Sequence, residues 1–317
     1  MMGLAHSVTA TGTNDGAKQV SVNAWNADHV INAALDFPIQ ASDPAVAASG
    51  KVNAFAKKFA EAGVMAYRGT TGLAKAVQSA LWGPRLRALV AAHSATTFTL
   101  IGGLAATFTG TATARSFATT NLFTRAPRVQ ALSAATAGSL AGVRYGVATI
   151  TTGDGAGLGG FFVSCRFGCS DTATVAGARQ FVGVSNSIAA PTNVEPSTLT
   201  NVIGVGHGAS DTNLKIFYGG SAAQTPIDLG ANFPANTLST DLYDLTLYAP
   251  SDTTGTVHYR VERVNTGHVA TGTLSGAATV LPAATTALTI LQAWRTNNAT
   301  ALAVGLDFSH VYCETDR

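Results

Sequence analysis

The sequence predicts a mainly β protein: an antiparallel β-sandwich of jelly-roll type behind an extended N-terminal arm and a small hairpin or helical connector. Three observations predict it. From about residue 105, runs of alternating apolar and polar residues are separated by Gly, Asn, Asp and Thr, the spacing expected of stacked antiparallel sheets. Thr and Gly stand where a helical surface would carry Lys and Glu, and the branched Cβ of Thr suits a half-buried pleat. Hydrophobic residues make up 46% of the chain against 11% charged, which excludes global disorder.

The first element, residues 1–42, shows little periodicity. Its opening, MMGLAHSVTATG, lacks the basic region and apolar core of a secretory signal. Val20, Val22, Trp25, Val30, Ile31 and Phe37 are isolated apolar anchors among small residues. Such a segment cannot form a core alone but can lie on another protein and fold upon it. Packing on its own domain is the alternative.

Residues 43–104 form the second element and read two ways at first. Asp43-Pro44 followed by AVAASGKVNAFAKKFAEAG fits a helix capped by Asp43 with Pro44 in its first turn. KVNAFAKKF and GVMAYRG equally fit two strands about a turn near Glu61. Further on, Leu73, Val77, Leu81, Leu86 and Leu89 recur near helical spacing, so 71–92 is the best helical window, broken at Gly83-Pro84. This region is a candidate oligomer contact.

Residues 105–317 are the third element. The expected strands are TFTGTA, VRYGVATIT, GGFFVSCRFG, ARQFVGVS, NVIGVGHG, NLKIFYGG, YDLTLYAP, TVHYRVERVNTG, HVATGTL and ALAVGLDFSHVYCE. YDLTLYAP and TVHYRVERV form a hairpin about Asp252 to Gly255. In the second of these, Val257, Tyr259, Val261 and Arg263 share one face, and His258, Arg260 and Glu262 the other.

Composition excludes several functions. With 19 basic and 17 acidic residues and a net charge of +2, no Lys/Arg cluster is dense enough for nucleic acid. The most apolar window, 86–106, contains Arg87, His93 and several Thr, so no membrane span is expected. Cys165, Cys169 and Cys313 have no zinc-knuckle spacing and read as free thiols. Gly155, Gly157 and Gly160 match GxGxxG but lead into a strand-like run, whereas a dinucleotide site must open a helix. No Walker A, HExxH or nucleophile elbow occurs. The acidic residues fall mostly in turns, so no catalytic residue, metal or cofactor is assigned and no enzyme activity is expected.

Two segments carry a resemblance. GAKQVSVNAWNADHVI followed by LDFPIQASDPAVAASGKVNAFAKK resembles the N-terminal part of tailed-bacteriophage virion proteins of the tail-fibre or appendage type. Those carry a QVSxxxWNAxHVI-like segment and a linker rich in Pro, Ala and Ser before a small hairpin. Here Phe55-Ala56-Lys57-Lys58 stands where Tyr-Ala-Lys-Asp is usual. The later region resembles phage modules with a concanavalin- or laminin-G-like sandwich. The resemblance implies a virion location and a homotrimer. It also implies an arm held by other virion proteins through Val20, Val22, Trp25, Val30, Ile31 and Phe37, and a sandwich presented to a host-surface glycan. A capsid-decoration protein with a purely architectural role and a polysaccharide depolymerase are the alternatives.

Sugar recognition needs an exposed aromatic face beside amides or carboxylates. Trp294, Asn297 and Asn298, placed in a loop before the last strand, offer that combination, and Tyr218 with Asp211 and Asn213 is a second option. Laminin-G-like sandwiches can also hold calcium through loop oxygens; Asp154 and the Asp211/Asn213 loop are the positions for it, with simple turns as the default.

Overall fold

The computed structural model describes residues 39–40, 42–49, 51–59, 62–68, 75–76, 86–91 and 106–315. The expected arm contacts at Val20, Val22, Trp25, Val30, Ile31 and Phe37 lie outside the described residues.

The two readings of 43–70 resolve in favour of strands. β1 (Ile39–Gln40), β2 (Asn53–Phe59), β3 (Ala62–Arg68) and β4 (Lys75–Ala76) form a sheet in that order. β2 and β3 pair antiparallel from Asn53↔Arg68 to Phe59↔Ala62. Asp43 caps no helix; its carboxylate meets Lys57 Nζ at 2.5 Å. The 45–49 stretch is instead tied to the hairpin, where Asn53 Nδ2 donates to the Ala45 carbonyl at 3.0 Å.

The remaining strands make two eight-stranded sheets. They are β5 (Leu86–Ala91), β6 (Ala106–Thr109), β7 (Thr111–Arg115), β8 (Arg128–Leu132), β9 (Leu140–Tyr145), β10 (Ala148–Ile150), β11 (Phe161–Cys169) and β12 (Arg179–Ser185). They continue with β13 (Val202–His207), β14 (Lys215–Gly219), β15 (Ile227–Asp228), β16 (Tyr243–Ala249), β17 (Thr256–Arg263), β18 (His268–Ser275), β19 (Leu288–Thr296) and β20 (Gly305–Thr315). The first sheet runs β15-β14-β13-β12-β19-β9-β6, with β10 also on β19. The second runs β18-β17-β16-β11-β20-β8-β7, with β5 also on β20. A single helical turn, α1 (Leu122–Arg125), is closed by an Asn121–Thr124 capping box. Among the described residues no helix is long and apolar enough to cross a membrane.

Alternation builds the core between the sheets. Phe161, Val163, Cys165 and Phe167 of β11 meet Val182 and Val184 of β12, Ile203 and Val205 of β13, and Leu245 and Leu247 of β16 in one buried cluster. The three cysteines are buried free thiols.

The structure corrects three expectations. TFTGTA is not one strand: Gly110, at φ +80°, turns the chain so that β6 enters the first sheet and β7 the second. A Cβ there would lie 2.3 Å from the Leu132 carbonyl oxygen, so only glycine fits. The helix expected over 71–92 fails where it can be tested, because Leu86 and Leu89 lie in strand β5. β8 pairs with β20 only over Gly305 to Phe308. The backbone of β20 from His310 to Thr315 therefore needs another partner, and β5 supplies it. It follows that the sandwich draws on chain ahead of residue 105. Finally, Trp294 sits in a strand rather than a loop. LTILQAWRT is buried at every position, a pattern without alternation, because β19 lies between β12 and β9 with both faces covered.

Candidate functional site

The structure separates the residues expected to bind sugar. Trp294 is 1% exposed and packs with Phe181, Val202 and Phe217 on the outer face of the first sheet. The segment 186–201 covers them, contributing Val194 and Leu199. Trp294 thus has no face for a ligand. Asn297 is fully buried and donates through Nδ2 to the carbonyls of Thr136 and Leu302, both at 2.8 Å. Asn298 takes φ +50° in a turn and accepts from Gly138 N–H through its carbonyl. Both asparagines hold loops.

Asp211 and Asn213 do lie together, among charged neighbours. Asp211 accepts the Gly208 N–H at 2.7 Å and meets Lys215 Nζ at 2.6 Å, while Asn213 Nδ2 donates to Asp228 at 3.1 Å. Tyr218 faces inward and packs against the main core. Asp154 closes its own loop, accepting from the Ala156 and Leu158 N–H groups at 2.8 and 3.0 Å. Those hydrogen bonds hold its carboxyl below the usual range. Among the described residues no three His, Cys, Asp or Glu side chains converge as metal ligands.

At one end of the sandwich a polar network centres on a fully buried arginine. Arg295 is 0% exposed and binds Asp171 through Nε and Nη2, Asn236 through Nη2 at 2.6 Å, and Gln180 through Nη1 at 3.2 Å. Its Nη1 also donates to His207 Nε2 at 2.7 Å, so His207 must carry its proton on Nδ1, 3.1 Å from the Gly208 carbonyl. Burial, then the Arg295 charge, lowers the imidazole to about 3, and it stays neutral. Arg295, Asp171, Gln180 and His207 are all buried, and the network braces the end of the sandwich.

The outer face of the second sheet carries another polar set, in which Glu314, Thr246 and Phe162 are buried. Ladder register places outward residues of five strands in three rows. The first row is Glu314, Phe162, Tyr248, His258 and Thr273. The second is Tyr312, Ser164, Thr246, Arg260 and Thr271. The third is His310, Arg166, Asp244, Glu262 and Val269. Tyr248 and His258 stack with centroids 5.9 Å apart, and His258 Nδ1 lies 2.9 Å from Thr273 Oγ1. Arg166 grips Asp244 with Nε and Nη2, both at 2.7 Å, and Arg260 meets Glu262 at 2.6 Å. Burial lowers the His310 imidazole, with Asp244 opposing and Arg166 reinforcing the shift. In the middle, Thr246 Oγ1 is buried with no hydrogen-bond partner. An unsatisfied buried hydroxyl is costly.

No family model matches the chain, and no curated protein matches it. Among solved structures it is similar to Ulex europaeus lectin II at 14% identity, covering 74% of this chain and 100% of that one with a TM-score of 0.47. It is similar to peanut lectin at 14% identity, covering 73% and 97% with a TM-score of 0.47. It is also similar to a protein of unknown function from Shewanella oneidensis MR-1 at 14% identity, covering 73% and 86% with a TM-score of 0.43. These likenesses concern the fold of the sandwich.

Chemically, the three rows set aromatic rings beside paired donors and acceptors. Each carboxylate of the central strip is already bound to a guanidinium, which suits hydrogen bonding to hydroxyls better than donation of a proton. Sequence reasoning placed His258, Arg260 and Glu262 on one face but did not choose that face as the site. The register across five strands was the missing information.

Proposed function

We propose that this chain is a virion structural protein of a tailed bacteriophage, attached by residues 1–42 and presenting its sandwich to a host-surface glycan. The observation that carries the glycan reading is the outer face of the second sheet: the Tyr248–His258 stack beside the strip Arg166–Asp244–Glu262–Arg260. A sugar has an apolar face and a rim of hydroxyls, and this surface offers partners for both. The virion reading rests on the resemblance of GAKQVSVNAWNADHVI and the linker after it. In this reading the protein is a homotrimer without enzymatic activity.

Binding of the purified full chain to host cells and to their extracted surface polysaccharide tests the glycan reading. Saturable binding to both is expected. Absence of binding alongside normal incorporation into particles would leave an architectural role, and shortening of the polysaccharide would make the protein a depolymerase. Deleting residues 1–42 should leave a folded protein that no longer joins particles. Incorporation at normal copy number would contradict the role given to the arm.

A further inference from the structure

We infer that this chain pairs with a second copy of itself along β18, the edge strand of the second sheet, in antiparallel register about a twofold axis at Gly272. The inference goes beyond the virion reading and does not depend on it. The other strands that end the described sheets, β1, β4, β15, β6 and β7, are two to five residues long. Edges that short give another chain little backbone to pair with. β18 runs for eight residues, and its ladder with β17 is unbroken from Thr256↔Ser275 to Arg263↔His268. About half of its N–H and C=O groups therefore point away from β17. The strand, HVATGTLS, contains no Lys, Arg, Asp, Glu or Pro, the residues that usually guard an edge. Val269, Thr271, Thr273 and Ser275 of its outward row are all exposed, Val269 at 47%.

The edge is complementary to itself. Antiparallel pairing sets residues of the same face opposite one another, so a twofold axis must fall on a residue of the strand rather than between two. With the axis at Gly272, Ala270 meets the second copy's Leu274 on the inner face, and Thr271 meets the second copy's Thr273 on the outer face. Each pairing occurs twice. Small against large fills the inner row, and Thr against Thr is a favourable cross-strand pair. Gly272 meets Gly272, each beneath a Tyr259 ring of its own chain, whose Cε1 would lie 2.6 Å from a Cβ at that position. An axis at Thr271 would instead set Ala270 against Gly272 and Leu274 against His268, and would bury less apolar surface.

Charge favours a copy of the same chain as the occupant. Self-pairing usually sets like charges against each other, and here the strand carries no Lys, Arg, Asp or Glu to do so. The contact, about seven paired residues over roughly 24 Å, lies at the small end of specific interfaces. Association is therefore expected at micromolar rather than nanomolar concentration.

Sedimentation and light scattering of the full chain at rising concentration test this, beside a chain carrying Thr271→Glu with Thr273→Glu. Within one chain the two new carboxylates lie across from Arg260 and His258 of β17, which keeps the fold. Between two copies each would stand directly against a carboxylate of the other. The unaltered chain should reach at least about twice the mass of the variant at equal concentration, a ratio that holds whatever the arm or connector assembles. Should the double variant not fold, Thr271→Glu alone is expected to lower the mass in the same direction. A mixture of Thr271→Cys and Thr273→Cys chains, whose three native thiols are buried, should form a disulfide-linked dimer more readily than either chain alone. Equal mass for the unaltered chain and the variant at every concentration would overturn the inference and leave the edge to solvent or to an extended segment of another protein. Doubling of mass with no preference for the mixed disulfide would overturn the axis at Gly272.

Discussion

Thr246 shows what a single unsatisfied atom costs. Its hydroxyl is buried without a partner, so Thr246→Val removes an unsatisfied group and keeps the shape. Stability to urea should stay level or rise by up to about 1–3 kcal/mol, the penalty of one unpaired buried hydroxyl. Trp294 is the opposite case. Trp294→Ala opens a cavity under segment 186–201 and should lower unfolding free energy by about 3–5 kcal/mol, without altering sugar affinity of the folded protein. His207 governs a pH dependence. Its folded value of about 3 lies below its ordinary value of 6.5, so the unfolded chain takes up the proton first. The stability it contributes is complete above pH 6.5 and declines as pH falls toward about 3, with a slope of up to about 1.4 kcal/mol per pH unit. Urea titrations across that range should show a shallower decline for His207→Gln than for the unaltered chain.

At the scale of elements, β5 is the test of where the sandwich begins. A chain starting at residue 106 lacks it and exposes the backbone of β20 from His310 to Thr315. Such a chain should melt lower and associate through that edge, whereas one retaining 86–91 should not. Scanning calorimetry with light scattering on the two truncations distinguishes them. The strands legible in the sequence were those with one covered face, such as β16 and β17, whose alternation survives in their burial patterns. β19 was not legible because both its faces are covered, and a strand that buries Thr289, Gln292 and Arg295 among its apolar residues shows no alternation. β5 was misread because LRALVA fits a helical and an extended spacing equally, and only the open half of β20 decides between them. Gly110 looked like a residue within one strand because a sequence does not show that the next strand belongs to another sheet.

At the scale of the whole molecule, the candidate site joins residues from Phe162 to Glu314 that no local spacing connects. Three of its ingredients were visible, since His258, Arg260 and Glu262 fall on one face of a predicted strand. The aromatic expected to mark the site, Trp294, was taken instead by a second small core on the opposite sheet. The first sheet thus carries an apolar cluster on its outer face and the second a polar, aromatic set, and the proposed function follows from the second. The most direct test compares host-cell binding of the full chain carrying Tyr248→Ala with Arg260→Gln against a chain carrying Asp211→Ala in the distant loop, both confirmed folded. The outer-face variant should lose at least about tenfold in apparent affinity while the loop variant retains it. Loss in the loop variant with retention in the outer-face variant would contradict the proposal and move the site to the loops.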